Sequence, residues 1–111
     1  LWVNPKEEWN IIIPLTRMFG SNSIYHETTS NSAVPFDEWK SIQLETNQSW
    51  CGHLNSLRHF NKINTTGASR VSFDLRMIAG STFETSEKCS ATSNKKFSVG
   101  DYYKRIDLKK V

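Results

Sequence analysis

The sequence predicts a mostly β fold, a sandwich or jelly-roll-like barrel of short strands. Three observations carry this. Ser, Thr and Asn fill 32 of the 111 positions and Leu only seven, which favours strands and turns over helices. Short alternating or β-branched runs recur at close spacing with turn residues between them. No long amphipathic helical pattern is present, and no repeat of about 20–50 residues.

Six strands are expected. Residues 8–16 form the first, with the β-branched run Ile11-Ile12-Ile13 at its centre. Pro14 has no backbone donor and marks a sheet edge or a bulge. Phe19-Gly20-Ser21-Asn22 is a turn, residues 23–28 a short second strand, and residues 29–33 a polar loop. Residues 35–39 are expected to make one helical turn. Over residues 39–45, Ile42 and Leu44 alternate with polar neighbours, the pattern of a half-buried third strand. Residues 48–51 and 57–60 are the fourth and fifth. Residues 61–68 read as a hairpin loop, where Gly67 takes positive φ without steric cost. The sixth strand has the cleanest pattern. Val71, Phe73, Leu75 and Met77 share one face, and Arg70, Ser72, Asp74 and Arg76 the other. Residues 8–78 thus hold the core strands. Residues 79–97 are polar and expected to be a mobile loop. Residues 98–111 form a C-terminal segment, whose aromatics dock back onto the body.

The length allows one domain. The longest apolar stretch, residues 11–15, is strand-sized, so no membrane helix is expected. The net charge of +3 is mild and interspersed, which argues against nucleic acid as a partner. The basic end, residues 104–111, reads as a solvated terminus. Position 1 is Leu and the methionines are Met18 and Met77, so a processed product or a fragment is expected. No signal peptide pattern is visible, which points to a cytoplasmic protein with Cys51 and Cys89 as free thiols. The glycosylation triplets at Asn47 and Asn64 carry little weight in that setting.

The chemistry concentrates between His59 and Asp74. A histidine closes one strand and Arg70 opens the next, so a hairpin would place both on neighbouring antiparallel strands facing one cavity. Imidazole ligates metals. A guanidinium fork holds a carboxylate through two parallel hydrogen bonds. Ser72, on the face of Arg70, adds a hydroxyl donor. The competing assignment makes Arg70 a surface residue paired with Asp74 or Glu45 and His59 a strand-end residue.

This segment resembles the end of the double-stranded β-helix core of Fe(II)/2-oxoglutarate-dependent oxygenases. There, a metal-binding histidine precedes an Arg-x-Ser that grips the far carboxylate of the cosubstrate. The chain is also similar to an oxygenase family related to the streptomycin-biosynthesis protein StrG. That family carries N-x-x-x-P-L-T, G-T-N-S, a glutamate on the next strand, and H-x-N-x-x-N-x-T-x-x-(T/S)-R-V-S-F-D. The matching residues include Asn10, Pro14-Leu15-Thr16, Gly20, Asn22-Ser23, Glu27, His59, Asn61, Asn64, Thr66 and Ser69 to Asp74. Phe97 to Tyr103 resembles its closing segment.

The resemblance implies a partial double-stranded β-helix of the jelly-roll, cupin-like kind, incomplete at its N-terminus. It implies His59 as metal ligand and catalytic residue. It implies Arg70, Ser72 and Asn10 as cofactor-binding residues, and Glu27 as a substrate contact. Fe(II) and 2-oxoglutarate would be the cofactors, and a small molecule and dioxygen the reactants.

The family's H-x-D/E motif is missing. His26, His53 and His59 are followed at the second position by Thr28, Asn55 and Asn61. The expectation is therefore the C-terminal part of an oxygenase, inactive in isolation. His53 as a second ligand and His26–Glu27 as a replacement pair are the alternatives within the chain. Adjacent strand residues point to opposite faces, which disfavours the latter. Trp50 and Tyr25 read as core or cavity wall. Two other classes compete: a non-catalytic cupin-like module that binds a carboxylated small molecule or sugar, and a secreted carbohydrate-facing sandwich. If the upstream part of such a core is absent, the Val71-Phe73-Leu75-Met77 face is expected to stand exposed, or the barrel to be open.

Overall fold

The computed structural model describes residues 5–28, 33–84 and 87–109. Most of the polar loop expected at 29–33, and the last two residues of the basic end, lie outside them. The described chain is mostly β. Its strands are β1 (Trp9–Pro14), β2 (Ile24–His26), β3 (Lys40–Ser41), β4 (Trp50–Gly52), β5 (His59–Asn61) and β6 (Ser72–Met77). Single 3-10 turns at Gly20–Asn22, Phe36–Glu38 and Leu54–Ser56 are the helical content among the described residues. All six strands lie where runs were expected, and most are shorter. The third shrinks to Lys40–Ser41, with Leu44 making a lone bridge to Met18.

The strands form two antiparallel sheets, ordered β4-β1-β6 and β3-β2-β5. The core packs between them. Ile12 of β1, Met18, Ile42, Leu44 and Leu54 are buried together, and Ile24 of β2 and Trp50 of β4 pack against them. Both sheets thus send side chains to one layer.

Two local expectations are corrected. First, of the edge or bulge expected at Pro14, the edge is excluded because β1 is a central strand, while Leu15 N and Thr16 N both donate to Val71 O in the manner of a bulge just beyond it. Pro14 survives there because the ladder to β4 runs from Asn10 to Ile12 and has already ended. Leu15 N–H turns to Val71 O on the β6 side, so position 14 faces the unpaired side, where no donor is needed. Second, β5 and β6 are not a hairpin. β5 pairs with β2, and β6 pairs with β1, so residues 62–71 cross from one sheet to the other. Spacing shows that two strands are joined by a loop. It does not show whether they pair, and here each finds a better partner earlier in the chain.

The orientation of β6 reverses the usual pattern. Register pairs Met77, Leu75 and Phe73 with Trp9, Ile11 and Ile13, so these six share a face. That face points away from the core. Phe73 is 57% exposed, Met77 55% and Trp9 44%. The exposed apolar sheet face expected from the sequence is present. The opposite, polar face of β6 (Ser72, Asp74, Arg76) lies with buried Asn10, Ile12 and Pro14.

Over 79–97 the described residues are irregular, apart from a Cys89–Lys96 bridge. Phe97 beyond it is buried at 1% exposure and packs edge-on against Tyr102. The Tyr103 hydroxyl donates to the fully buried carboxylate of Glu8, and Arg76 Nη1 donates to Tyr102 Oη at 2.7 Å. The C-terminal segment is therefore tied to β1 and β6 by two phenols. Cys51 and Cys89 are both free. Among the described residues no helix is long and apolar enough to cross a membrane.

Candidate functional site

The loop between β5 and β6 is fixed by its own polar residues. Asn64 Nδ2 donates to Ala68 O at 2.8 Å, and its Oδ1 accepts from Thr66 N and Oγ1 at 3.0 and 2.7 Å. Asn22 Nδ2 reaches Ala68 O from the Gly20–Asn22 turn at 3.4 Å. Ser21 and Thr65 are bonded between the two loops. Gly67 holds φ +75, open to glycine at no cost. Thr16 makes the most telling contact. Its Oγ1 donates to Ser69 O at 3.0 Å and accepts from Val71 N at 2.9 Å. One hydroxyl thereby brackets Arg70 on both sides. Thr16, Asn22, Asn64 and Thr66, four of the motif residues, thus set the backbone that carries Arg70.

Arg70 itself is half-buried, and its Nη1 is buried with no hydrogen-bond acceptor among the described residues. The alternative partner Glu45 is taken by Arg17 at 2.8 Å, and Asp74 lies 3.6 Å from Arg76. A buried, unmet guanidinium N–H costs on the order of 1–3 kcal/mol or more, so it is poised for an anion. Ser72 begins β6 on the inward face and is half-buried.

His59 is not beside Arg70 in one sheet. It lies on β5, exposed, directly opposite His26 of β2. Its Nδ1 bonds Leu57 O at 2.8 Å. A carbonyl only accepts, so Nδ1 carries the proton and Nε2 the lone pair in the neutral ring. His53 bonds Glu8 O at 2.9 Å and packs against Trp9. Among the described residues no group of three or more His, Cys, Asp or Glu is placed to hold a metal ion.

Asn10 is 3% exposed, and its Oδ1 accepts from Asn55 N at 3.4 Å. This carboxamide links β1 to the Leu54–Ser56 turn. Glu27 is also buried and spoken for. Its Oε1 accepts from Arg58 N at 2.9 Å, and its Oε2 accepts from Arg58 Nε at 3.0 Å and lies 3.0 Å from Nη2. Arg58 in turn lies over the Phe36 and Trp39 rings. The Arg58 amide first, then its guanidinium, holds the Glu27 carboxyl below the usual carboxylate range, against the opposing pull of desolvation. A lowered folded-state pKa means that this group stabilises the fold above its unfolded pKa. That stabilisation is lost as pH falls through the folded value. The urea midpoint of the wild type should therefore drop more steeply below about pH 4.3 than that of Glu27→Gln. Parallel pH profiles for the two would contradict the assignment.

The sequence reading missed the cluster Glu8, Tyr103 and Arg76. Burial and the Glu8 carboxylate push the Tyr103 phenol well above its usual range. Strand parity held the signal, because Glu8 falls on the same face as Asn10 and Ile12. A cavity of about 300 Å³ lies nearby, lined by residues 99–105, and none of the predicted site residues lines it.

No protein-family model matches the chain. Among curated proteins it is similar to streptomycin biosynthesis protein StrG of Streptomyces griseus, 28% identical over 99 residues. The alignment covers 89% of this chain and 44% of that protein, so the chain spans less than half of its relative's length. No solved structure matches.

Proposed function

We propose that the chain is the carboxylate-anchoring part of an Fe(II)/2-oxoglutarate-dependent oxygenase. Arg70 and Ser72 hold the distal carboxylate of 2-oxoglutarate, and His59 is one iron ligand. The observation that carries this reading is the buried, unpartnered Nη1 of Arg70. A carboxylate is the acceptor that suits it, because both of its oxygens fit a guanidinium fork. The Thr16 bracket and the Asn64–Thr66 turn give that fork a fixed origin. The similarity to StrG is compatible with this reading, and its name specifies neither a cofactor nor a reaction.

Iron fits less well than the cosubstrate. Such a centre takes two histidines and a carboxylate, and no such group of three is placed around His59 among the described residues. The reading therefore requires at least the carboxylate from residues outside the described set. When bound, iron and 2-oxoglutarate supply the oxidising chemistry. The share of this chain is to bind the cosubstrate, orient it and neutralise its far charge. The missing cluster favours a second reading, in which the same Arg70–Ser72 pair binds a carboxylated small molecule or sugar acid without metal.

NMR titration of the purified chain with 2-oxoglutarate tests the shared premise. Shifts are expected at Arg70 and Ser72 and their neighbours. No shift at millimolar ligand would sink both readings. Chelator separates them, since binding that survives it unchanged favours the metal-free module. With Fe(II) and ascorbate the isolated chain is expected to make no succinate, and measurable succinate would overturn the single-ligand assignment.

A further inference from the structure

We propose that His26 and His59 form a two-imidazole site for a borderline divalent cation such as Ni²⁺, Zn²⁺ or Cu²⁺. The argument is one of register. His26 and His59 are direct partners across β2 and β5. One step along, Glu27 N–H donates to Arg58 O at 3.1 Å, so Glu27 and Arg58 form a hydrogen-bonded pair. Pair types alternate in an antiparallel ladder, which makes His26 and His59 a non-hydrogen-bonded pair. That is the closer kind, with Cα atoms about 4.5 Å apart and side chains on one face.

Ring chemistry adds a second argument. His26 Nδ1 bonds Glu27 O at 2.7 Å, and His59 Nδ1 bonds Leu57 O at 2.8 Å. Both acceptors are carbonyls, so both rings donate from Nδ1 and keep the Nε2 lone pair when neutral. An Nδ1–H held by a backbone carbonyl is the outer-shell contact that metal-bound histidines ordinarily have. The two rings differ in mobility. His26 is half-buried against Trp50, with ring centroids 5.8 Å apart, and is the fixed member. His59 is exposed on the edge strand β5, and turning its ring toward His26 requires only that the Leu57 bond adjust.

Among the described residues no protein carboxylate joins the pair. Glu27 follows His26, but both its oxygens are on Arg58. Lys40, the partner of His26 on β3, is exposed. Its long stem lets the ammonium extend into water. With two nitrogen ligands and water completing the shell, the chemistry selects metals suited to imidazole over Mg²⁺ or Ca²⁺. The site shares His59 with the proposed iron ligand set and rests on that residue, but it needs neither Arg70 nor Ser72, so its failure leaves the carboxylate anchor untouched.

The test is a Ni²⁺ titration of the full chain without 2-oxoglutarate, read by calorimetry and by loss of the histidine ring NMR signals. One equivalent should bind, with the His26 and His59 signals affected together. Because the second imidazole binds intramolecularly, His26→Gln and His59→Gln should each weaken binding about tenfold or more. His53→Gln should not. The wild-type spectrum identifies the rings directly, so the proposal remains testable if a variant fails to fold. It is overturned if His26 stays unaffected while His59 responds, if His53→Gln abolishes binding, or if no binding occurs at millimolar Ni²⁺. Failure here with 2-oxoglutarate shifts intact at Arg70 removes only this site.

Discussion

Replacing Arg70 with alanine is expected to weaken 2-oxoglutarate binding by about 10- to 150-fold. The figure follows from about 1.5–3 kcal/mol for hydrogen bonds to charged groups. The fork carries the only positive charge proposed for the distal carboxylate, and its Nη1 has no competing acceptor among the described residues. Arg70→Lys keeps the charge and loses the planar pair of donors, so it should fall between wild type and alanine. Ser72→Ala removes one neutral donor and should cost a few-fold. Thr16→Val is the informative control, because it leaves Arg70 in place and removes the hydroxyl between Ser69 O and Val71 N. It should weaken binding while the guanidinium is intact. Calorimetry with 2-oxoglutarate, and with glutarate as a dicarboxylate lacking the keto group, reads all four. Equal affinity for Arg70→Ala and wild type would remove the premise of the proposed function.

The parts of this fold legible in the sequence are those set locally. Alternation along residues 71–77 marked β6 and sorted its two faces correctly, and the segment 35–39 was legible as a single helical turn. What the sequence hid is decided by pairing at a distance. Nothing within residues 59–76 shows that His59 will lie opposite His26, or that Ser72 will lie opposite Pro14. The same holds for the site. The pattern of Asn64, Thr66, Arg70 and Ser72 singled out the segment. It did not show that Asn64 and Thr66 shape the loop while Arg70 is left with a free donor. Glu27 shows the limit most plainly. Its partner, Arg58, is 31 residues away, and no spacing rule connects them.

Which face of the β4-β1-β6 sheet is the interior can be decided by two truncations of large apolar residues on paired strands. Ile12 is 1% exposed and lies between the sheets, whereas Phe73 is 57% exposed on the outer face. Ile12→Ala is expected to cost about 2–5 kcal/mol, transfer and cavity terms together. That is a large share of the about 5–15 kcal/mol that holds a domain folded, so the urea midpoint of the variant should fall sharply. Phe73→Ala, although it removes more carbon, should stay within about 1 kcal/mol of wild type, because the ring already meets solvent. Urea midpoints at unchanged slope measure both. The same Phe73→Ala should reduce binding of an apolar dye such as ANS, since the ring stands in the exposed row with Leu75, Met77 and Trp9. A reversed order of the two costs would mean that in solution the Phe73 face is covered. Ser72, half-buried beside the exposed Asp74 and Arg76, would then open further to water, and Arg70 would lose the enclosure on which its assignment as a carboxylate anchor depends.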